Sequence, residues 1–159
     1  MKLNPDYADM FKTLNTAGVK YLIVGAYAFG YYVEPRTTKD IDIWVEPTPE
    51  NAHKLYQALQ EFGAPLEGIA EKDFCESELV YQIGVAPNRI DILMDLGSIP
   101  FEEAWKRRAT TQYGEDEVYF ISREDLITVK KASGRSQDLD DIIDLEKSQQ
   151  LLQSKKGRK

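Results

Sequence analysis

The stretch that most constrains this chain is Asp40-Ile41-Asp42-Ile43-Trp44-Val45, where acidic and apolar residues alternate before the run turns wholly apolar. In an extended strand successive side chains project to opposite faces, so Ile41 and Ile43 are expected to bury on one side while Asp40 and Asp42 share the other. Two adjacent carboxylates repel unless a positive charge lies between them. A divalent cation held by hard oxygen ligands meets that need, and Mg²⁺ suits one or two carboxylates plus a substrate phosphate. The same alternation occurs on any half-buried strand, so the motif needs support from elsewhere in the chain.

At 159 residues the chain fits one domain with a real core, expected over residues 1–150, followed by a short basic, disordered tail over 151–159. The formal net charge of -7 argues against a broad positive surface for gripping long nucleic acid. A small anionic substrate escorted by a metal is compatible with it. Cys75 stands alone and so forms no internal disulfide, and with His53 as the one histidine there is no Cys/His zinc set. No apolar run approaches the ~20 residues of a membrane span. Met1-Lys2-Leu3-Asn4-Pro5 lacks a signal-peptide core, and the expectation is a cytoplasmic protein with no membrane partner.

In chain order, Asn4-Pro5 caps a first helix with Tyr7, Met10, Phe11 and Leu14 on one face up to Gly18. Tyr21 to Val24 is a short apolar strand that stops at Gly25, and 26–32 has helix-compatible spacing. A strand, a glycine turn and a helix start make an anion site, although a tight turn that only packs small residues reads the same way. Residues 33–39 form a loop with Arg36, Thr38 and Lys39, able to neutralise phosphate or cap the turn. Thr48-Pro49 opens a second amphipathic helix ending at Gly63, with His53 on its solvent side.

Residues 64–77 show no clear period and read as loop or short helix. Residues 79–85 and 89–93 read as a hairpin through Ala86-Pro87-Asn88, which sets Asp91 between Ile90 and Ile92. If this second strand lies beside the Asp40 strand, Asp91 becomes a third carboxylate on the same face, with Asp95 a weaker candidate near the strand end. A helix over 99–108, a strand over 117–121, and helices opened by Ser122 and Ser136 complete the chain, the last with Leu139, Ile142 and Ile143 expected inward.

This succession resembles the nucleotidyltransferase superfamily with the polymerase β-like palm. Val24-Gly25-Ala26-Tyr27-Ala28, and Arg36-Thr37-Thr38-Lys39 leading into Asp40-Ile41-Asp42-Ile43, are similar to small bacterial nucleotidyltransferase-like proteins related to abortive-infection and toxin–antitoxin toxins. The ending Asp125-Leu126-Ile127, Lys130, Gly134-Arg135, Asp138-Leu139 and Asp141-Ile142 is similar to the C-terminal motif of the same group. The resemblance implies an α+β fold, with helices packed on a mixed, mostly antiparallel sheet. It makes Asp40, Asp42 and Asp91 the metal-binding and catalytic carboxylates for two Mg²⁺ ions, with Mn²⁺ as a substitute. Gly25, Ala26 and Lys130 would hold the triphosphate of an NTP substrate, and Arg36 and Thr38 would position it. Ala26 departs from the Ser or Gly of many members, as Tyr31 and Gln137 depart from a frequent His and Lys.

Transfer of a nucleoside monophosphate from an NTP to a hydroxyl on RNA or protein, in a toxin, is the activity so implied. The alternative is a non-catalytic nucleotide- or partner-binding module of the same fold, such as a toxin–antitoxin component with an antitoxin-like partner. A glycosyltransferase reading of Asp-x-Asp fits poorly, because only 39 residues precede the motif.

Overall fold

The computed structural model describes residues 3–36 and 40–156, with side chains up to 153. Six strands form one sheet: β1 (Tyr21–Val24), β2 (Asp40–Val45), β3 (Val80–Ile83), β4 (Arg89–Leu93), β5 (Ala109–Tyr113) and β6 (Asp116–Phe120). Their spatial order is β3-β4-β2-β1-β6-β5. The β2·β4 and β1·β6 pairs are parallel and the other three antiparallel, so the sheet is mixed and mostly antiparallel.

Register explains the two faces. Ile41 lies opposite Ile90 and Ile43 opposite Ile92, and Ile43 also faces Ile23 across the β1 pair. With Tyr81 and Ile83 of β3 they build a continuous apolar face. Ile41, Ile43, Ile90 and Ile92 are each at most 1% exposed; burial of each such side chain contributes about 2 kcal/mol. Helix α1 (Pro5–Ala17) covers this face through Phe11, stacked on Tyr21 with ring centroids 6.0 Å apart. Phe74, in a short 3-10 helix (Glu71–Cys75), meets Tyr81 edge-on at 5.7 Å and links the sheet to α3 (Pro49–Phe62). Because side chains alternate, the opposite face of the same strands carries Asp40, Asp42, Trp44, Asp91 and Leu93.

Local chemistry sets the helix ends. Asn4 accepts from the N–H groups of Asp6 and Tyr7, Thr48 from Asn51, and Ser122 from Asp125 at the start of α5 (Arg123–Ser133). Helix α2 (Gly25–Tyr32) follows β1 without a break, and Val24 at its cap supplies no side-chain oxygen. Helix α4 (Phe101–Lys106) packs Phe101 edge-on against Trp44 at 5.1 Å, which buries the far end of the acidic face. His53 is exposed and paired with Glu71 at 2.6 Å. None of the described helices is long and apolar enough to cross a membrane.

Five expectations change. The first hairpin strand spans only Val80–Ile83, because Gly84 leaves extended backbone at φ 76°, and Val85 is 78% exposed. The helix expected over 99–108 is only α4. A strand, β5, precedes β6 where none was expected, joined by a two-residue turn that opens on Gly114. In α6 (Ser136–Lys156) Leu139 and Ile143 face out, 59% and 49% exposed, while Asp138, Asp141, Ile142 and Leu145 face in. The inward face is chosen by charge pairing with cations on neighbouring elements. Helix α6 also runs through the first six residues of the expected disordered tail; residues 157–159 lie outside the described ones.

Candidate functional site

The parallel pairing of β2 with β4 sets Asp42 opposite Asp91 and Asp40 opposite Arg89. One carboxylate oxygen from each of Asp40, Asp42 and Asp91 lies within 4.8 Å of the others. Asp91, only 6% exposed, is the deepest of the three. Three hard oxygen donors at this spacing fit Mg²⁺ or Mn²⁺ and are a poor set for softer metals.

Asp42 leans over the start of α2. Gly25 has φ 68°, in the left-handed region, and a Cβ built there would overlap Oδ2 of Asp42 and lie 3.1 Å from its Cγ. Glycine is thus required twice, by the bend and by the carboxylate. Burial, reinforced by the charges of Asp40 and Asp91, pushes Asp42 up to about 7, and Arg89 only partly offsets this.

Arg89 was not foreseen as part of the site. Its guanidinium donates from Nε to Asp91 Oδ1 at 3.0 Å, and from one terminal nitrogen to Asp91 Oδ2 at 3.2 Å and Asp40 Oδ2 at 2.5 Å. The strand alternation that finds Asp91 also finds Arg89, two residues earlier on the same face.

A cavity of about 170 Å³ opens beside Asp42 and Gly25. Leu93, Leu96, Leu126 and Val129 line its apolar part, and Lys130 and Arg135 bring positive charge. The Lys130 side chain is 12% exposed, with Nζ 3.0 Å from Asp141 and 3.5 Å from Asp138. An ammonium has three N–H donors, so one remains for a further acceptor after these two carboxylates.

Arg36 takes a different position from Lys130. It donates to Asp141 at 2.9 Å and stacks 3.7 Å over the Phe29 ring, bound to α6 and α2 rather than lining the cavity. Burial acts to raise Asp141, but hydrogen bonds from Arg36 and Lys130 outweigh it and hold the carboxyl below its usual range. Asp138 is likewise held low, chiefly by the Ser133 hydroxyl and then by Arg135 and Lys130. Asp125, from the same C-terminal motif, is bound by Arg107 at 3.0 Å. Ala26 sits in the first turn of α2, half-buried. Asp95 is exposed and accepts from the N–H of Gly97. Thr38 lies outside the described residues, with Thr37 and Lys39. The structure thus gathers Asp40, Asp42, Asp91, Gly25 and Lys130 in one region, and adds Arg89, Asp138 and Asp141.

Solved structures similar to this one are nucleotidyltransferases. A lincosamide antibiotic adenylyltransferase, LnuA, with lincomycin bound, aligns over 92% of this chain and 98% of its own at TM-score 0.57 and 15% identity. The Thermotoga maritima protein TM1012, assigned as a nucleotidyltransferase, aligns over 99% of this chain and 97% of its own at TM-score 0.57 and 15% identity. An antigenic nucleotidyltransferase-like protein from Paracoccidioides brasiliensis aligns over 88% of this chain and 74% of its own at TM-score 0.55 and 19% identity. The fold is the polymerase β-like palm these proteins share. Comparison with curated proteins gives no match. The family model described as nucleotidyltransferase of unknown function (DUF6036) covers residues 3–153, and the chain therefore belongs to that nucleotidyltransferase family.

Proposed function

We propose that the protein is a metal-dependent nucleotidyltransferase that moves a nucleoside monophosphate from an NTP to a hydroxyl on RNA or protein, acting as a toxin. The convergence of three carboxylates within 4.8 Å of one another, beside a glycine that only a bare Cα permits, carries this reading. Asp40, Asp42 and Asp91 would hold two Mg²⁺ ions. When bound, these lower the pKa of the attacking hydroxyl and steady the pyrophosphate leaving group. The acceptor oxygen forms a bond to the α-phosphorus, the bond to the β-phosphate oxygen breaks, and pyrophosphate departs. Asp91 takes the hydroxyl proton. The N–H groups of Gly25 and Ala26, at an uncapped helix start, bind phosphate oxygens. Lys130 adds its third donor; Arg36 acts on the substrate only through Asp141, which it shares with Lys130, and Thr38 positions the substrate.

The test mixes the protein with labelled ATP, GTP, CTP or UTP, Mg²⁺, and RNA or protein from cell extract. Label transferred by the wild type and lost in Asp42→Ala supports the reading; no label with any nucleotide, wild type and variant alike, refutes it. A second reading, a non-catalytic nucleotide-binding module of a toxin–antitoxin pair, draws on Ala26, which offers no hydroxyl to phosphate. In calorimetry such a module binds NTP and releases no pyrophosphate.

A further inference from the structure

We propose that Arg89 is the built-in counter-ion of the carboxylate centre: its guanidinium occupies the cation seat between Asp40 and Asp91, and a divalent ion enters that seat only by displacing it. The inference rests on the metal-site reading above and adds an order of loading to it.

The geometry divides the centre into two unequal halves. On one side the Arg89 fork spans Asp91 and reaches Asp40 with three donor contacts of 2.5 to 3.2 Å. On the other, Asp42 faces Gly25 and the cavity. A divalent ion shared by Asp40 and Asp91 would need the oxygens the guanidinium now contacts, because hard cations take carboxylate oxygens at about 2.0–2.1 Å. One shared by Asp40 and Asp42 leaves the Arg89–Asp91 fork intact. The first ion is therefore taken on the Asp42 side and the second on the Asp91 side.

Arg89 is built to move at its side chain and not at its backbone. Its main chain pairs with Asp40 in the sheet, and its carbonyl accepts from the Tyr7 hydroxyl at 3.1 Å. Its side chain is 35% exposed, leaving a route for the guanidinium toward solvent. Tethered two residues from Asp91 on the same strand face, it returns to the seat once the cation leaves.

The test is Mn²⁺ binding to the full, nucleotide-free chain, followed by calorimetry and by the electron paramagnetic resonance of free Mn²⁺, in wild type, Arg89→Gln, Arg89→Lys and Asp42→Asn. A unit positive charge about 5 Å from a divalent ion costs it at least about tenfold in affinity even at the dielectric of water. Arg89→Gln is therefore expected to bind Mn²⁺ at least about tenfold more tightly than wild type and to raise the stoichiometry from one to two. Arg89→Lys keeps the charge but cannot bridge two carboxylates with one planar fork. It should fall between them, and it serves as the measurement if Arg89→Gln does not fold. Equal or weaker Mn²⁺ binding by the Arg89 variants, with wild type binding and Asp42→Asn impaired, overturns this proposal alone, since Arg89 would then only orient Asp91. Absence of Mn²⁺ uptake by every form overturns the proposal together with the metal-site reading beneath it.

Discussion

Asp42→Asn should make the metal-free protein more stable while removing its response to metal. Asp42 is held up to about 7 by burial and by Asp40 and Asp91, against an ordinary 3.8. A carboxyl raised in the folded state contributes stability that is complete below the unfolded value and lost as pH climbs through the folded one, here between about pH 4 and 7. About three units at 1.36 kcal/mol each sets a ceiling of about 4 kcal/mol. The carboxyl is only partly buried, and solvent screening leaves about half of that, roughly 2 kcal/mol. Asparagine has nearly the same shape, fits beside Gly25, and carries no charge at any of these pH values.

The assay is urea unfolding in EDTA at low salt, from about pH 4.5 to pH 8, for both proteins. Other titrating groups cancel in the difference, so wild type should lose about 1.5 kcal/mol more than the variant over that range. Adding Mg²⁺ at ten times its dissociation constant should then return about 1.4 kcal/mol to wild type and almost nothing to Asp42→Asn. Parallel stability profiles for the two proteins, with equal gains from Mg²⁺, would refute the reasoning, because they would mean that Asp42 is neither strained by its neighbours nor a ligand.

Three further perturbations separate scaffold from site. Gly25→Ala forces a Cβ into the Asp42 carboxylate and an L-residue to φ 68°, so it should cost at least about 1–2 kcal/mol in urea unfolding; it should also weaken Mn²⁺ binding, which an ordinary helix-start substitution leaves alone. Lys130→Met takes one partner from each of Asp138 and Asp141 and should cost about 3 kcal/mol, measured by the same unfolding. On α6, Ile142→Ala should cost about 2–4 kcal/mol, whereas Leu139→Ala, at an exposed position, should stay within about 0.5 kcal/mol.

The α6 pair shows where sequence reasoning stopped. Leu139 and Ile143 lie four apart and Ile142 three from Leu139, so apolar spacing allows either of two faces inward. The decision came from elsewhere in the chain: Arg36, before β2, and Lys130, on α5, both meet Asp141, and that turns Asp138, Ile142 and Leu145 into the core. A long-range ion pair leaves no periodic trace. β5 escaped for a related reason, since Ala109-Thr110-Thr111-Gln112 on a sheet edge buries too little to alternate visibly. Its one local signal was the Gly114 turn. The β2 and β4 motifs were legible because both their faces are constrained, one by isoleucines packed to 1% exposure or less, the other by acids. Arg89 obeys the same alternation and was passed over because the carboxylates were weighed against metal alone.

Formal charge links Arg89 to the order in which nucleotide and metal arrive. Arg89 already sets one positive charge against Asp40 and Asp91, and a first divalent ion takes up much of the negative charge that remains at the centre. A second ion entering without a substrate would add positive charge to a partly buried site with no anion to balance it, a costly state even with Arg89 displaced. The phosphates of an NTP supply the missing negative charge, and Lys130, already shared between two carboxylates, cannot offset it all. The second seat in wild type should therefore fill only with nucleotide present. A non-hydrolysable NTP analogue, titrated with Mn²⁺ by calorimetry, is expected to raise the stoichiometry from one to two and to release Arg89 from Asp40. A wild-type chain that takes two Mn²⁺ ions with the same affinities whether or not the analogue is present would show that neither Arg89 nor the charge of the site governs loading.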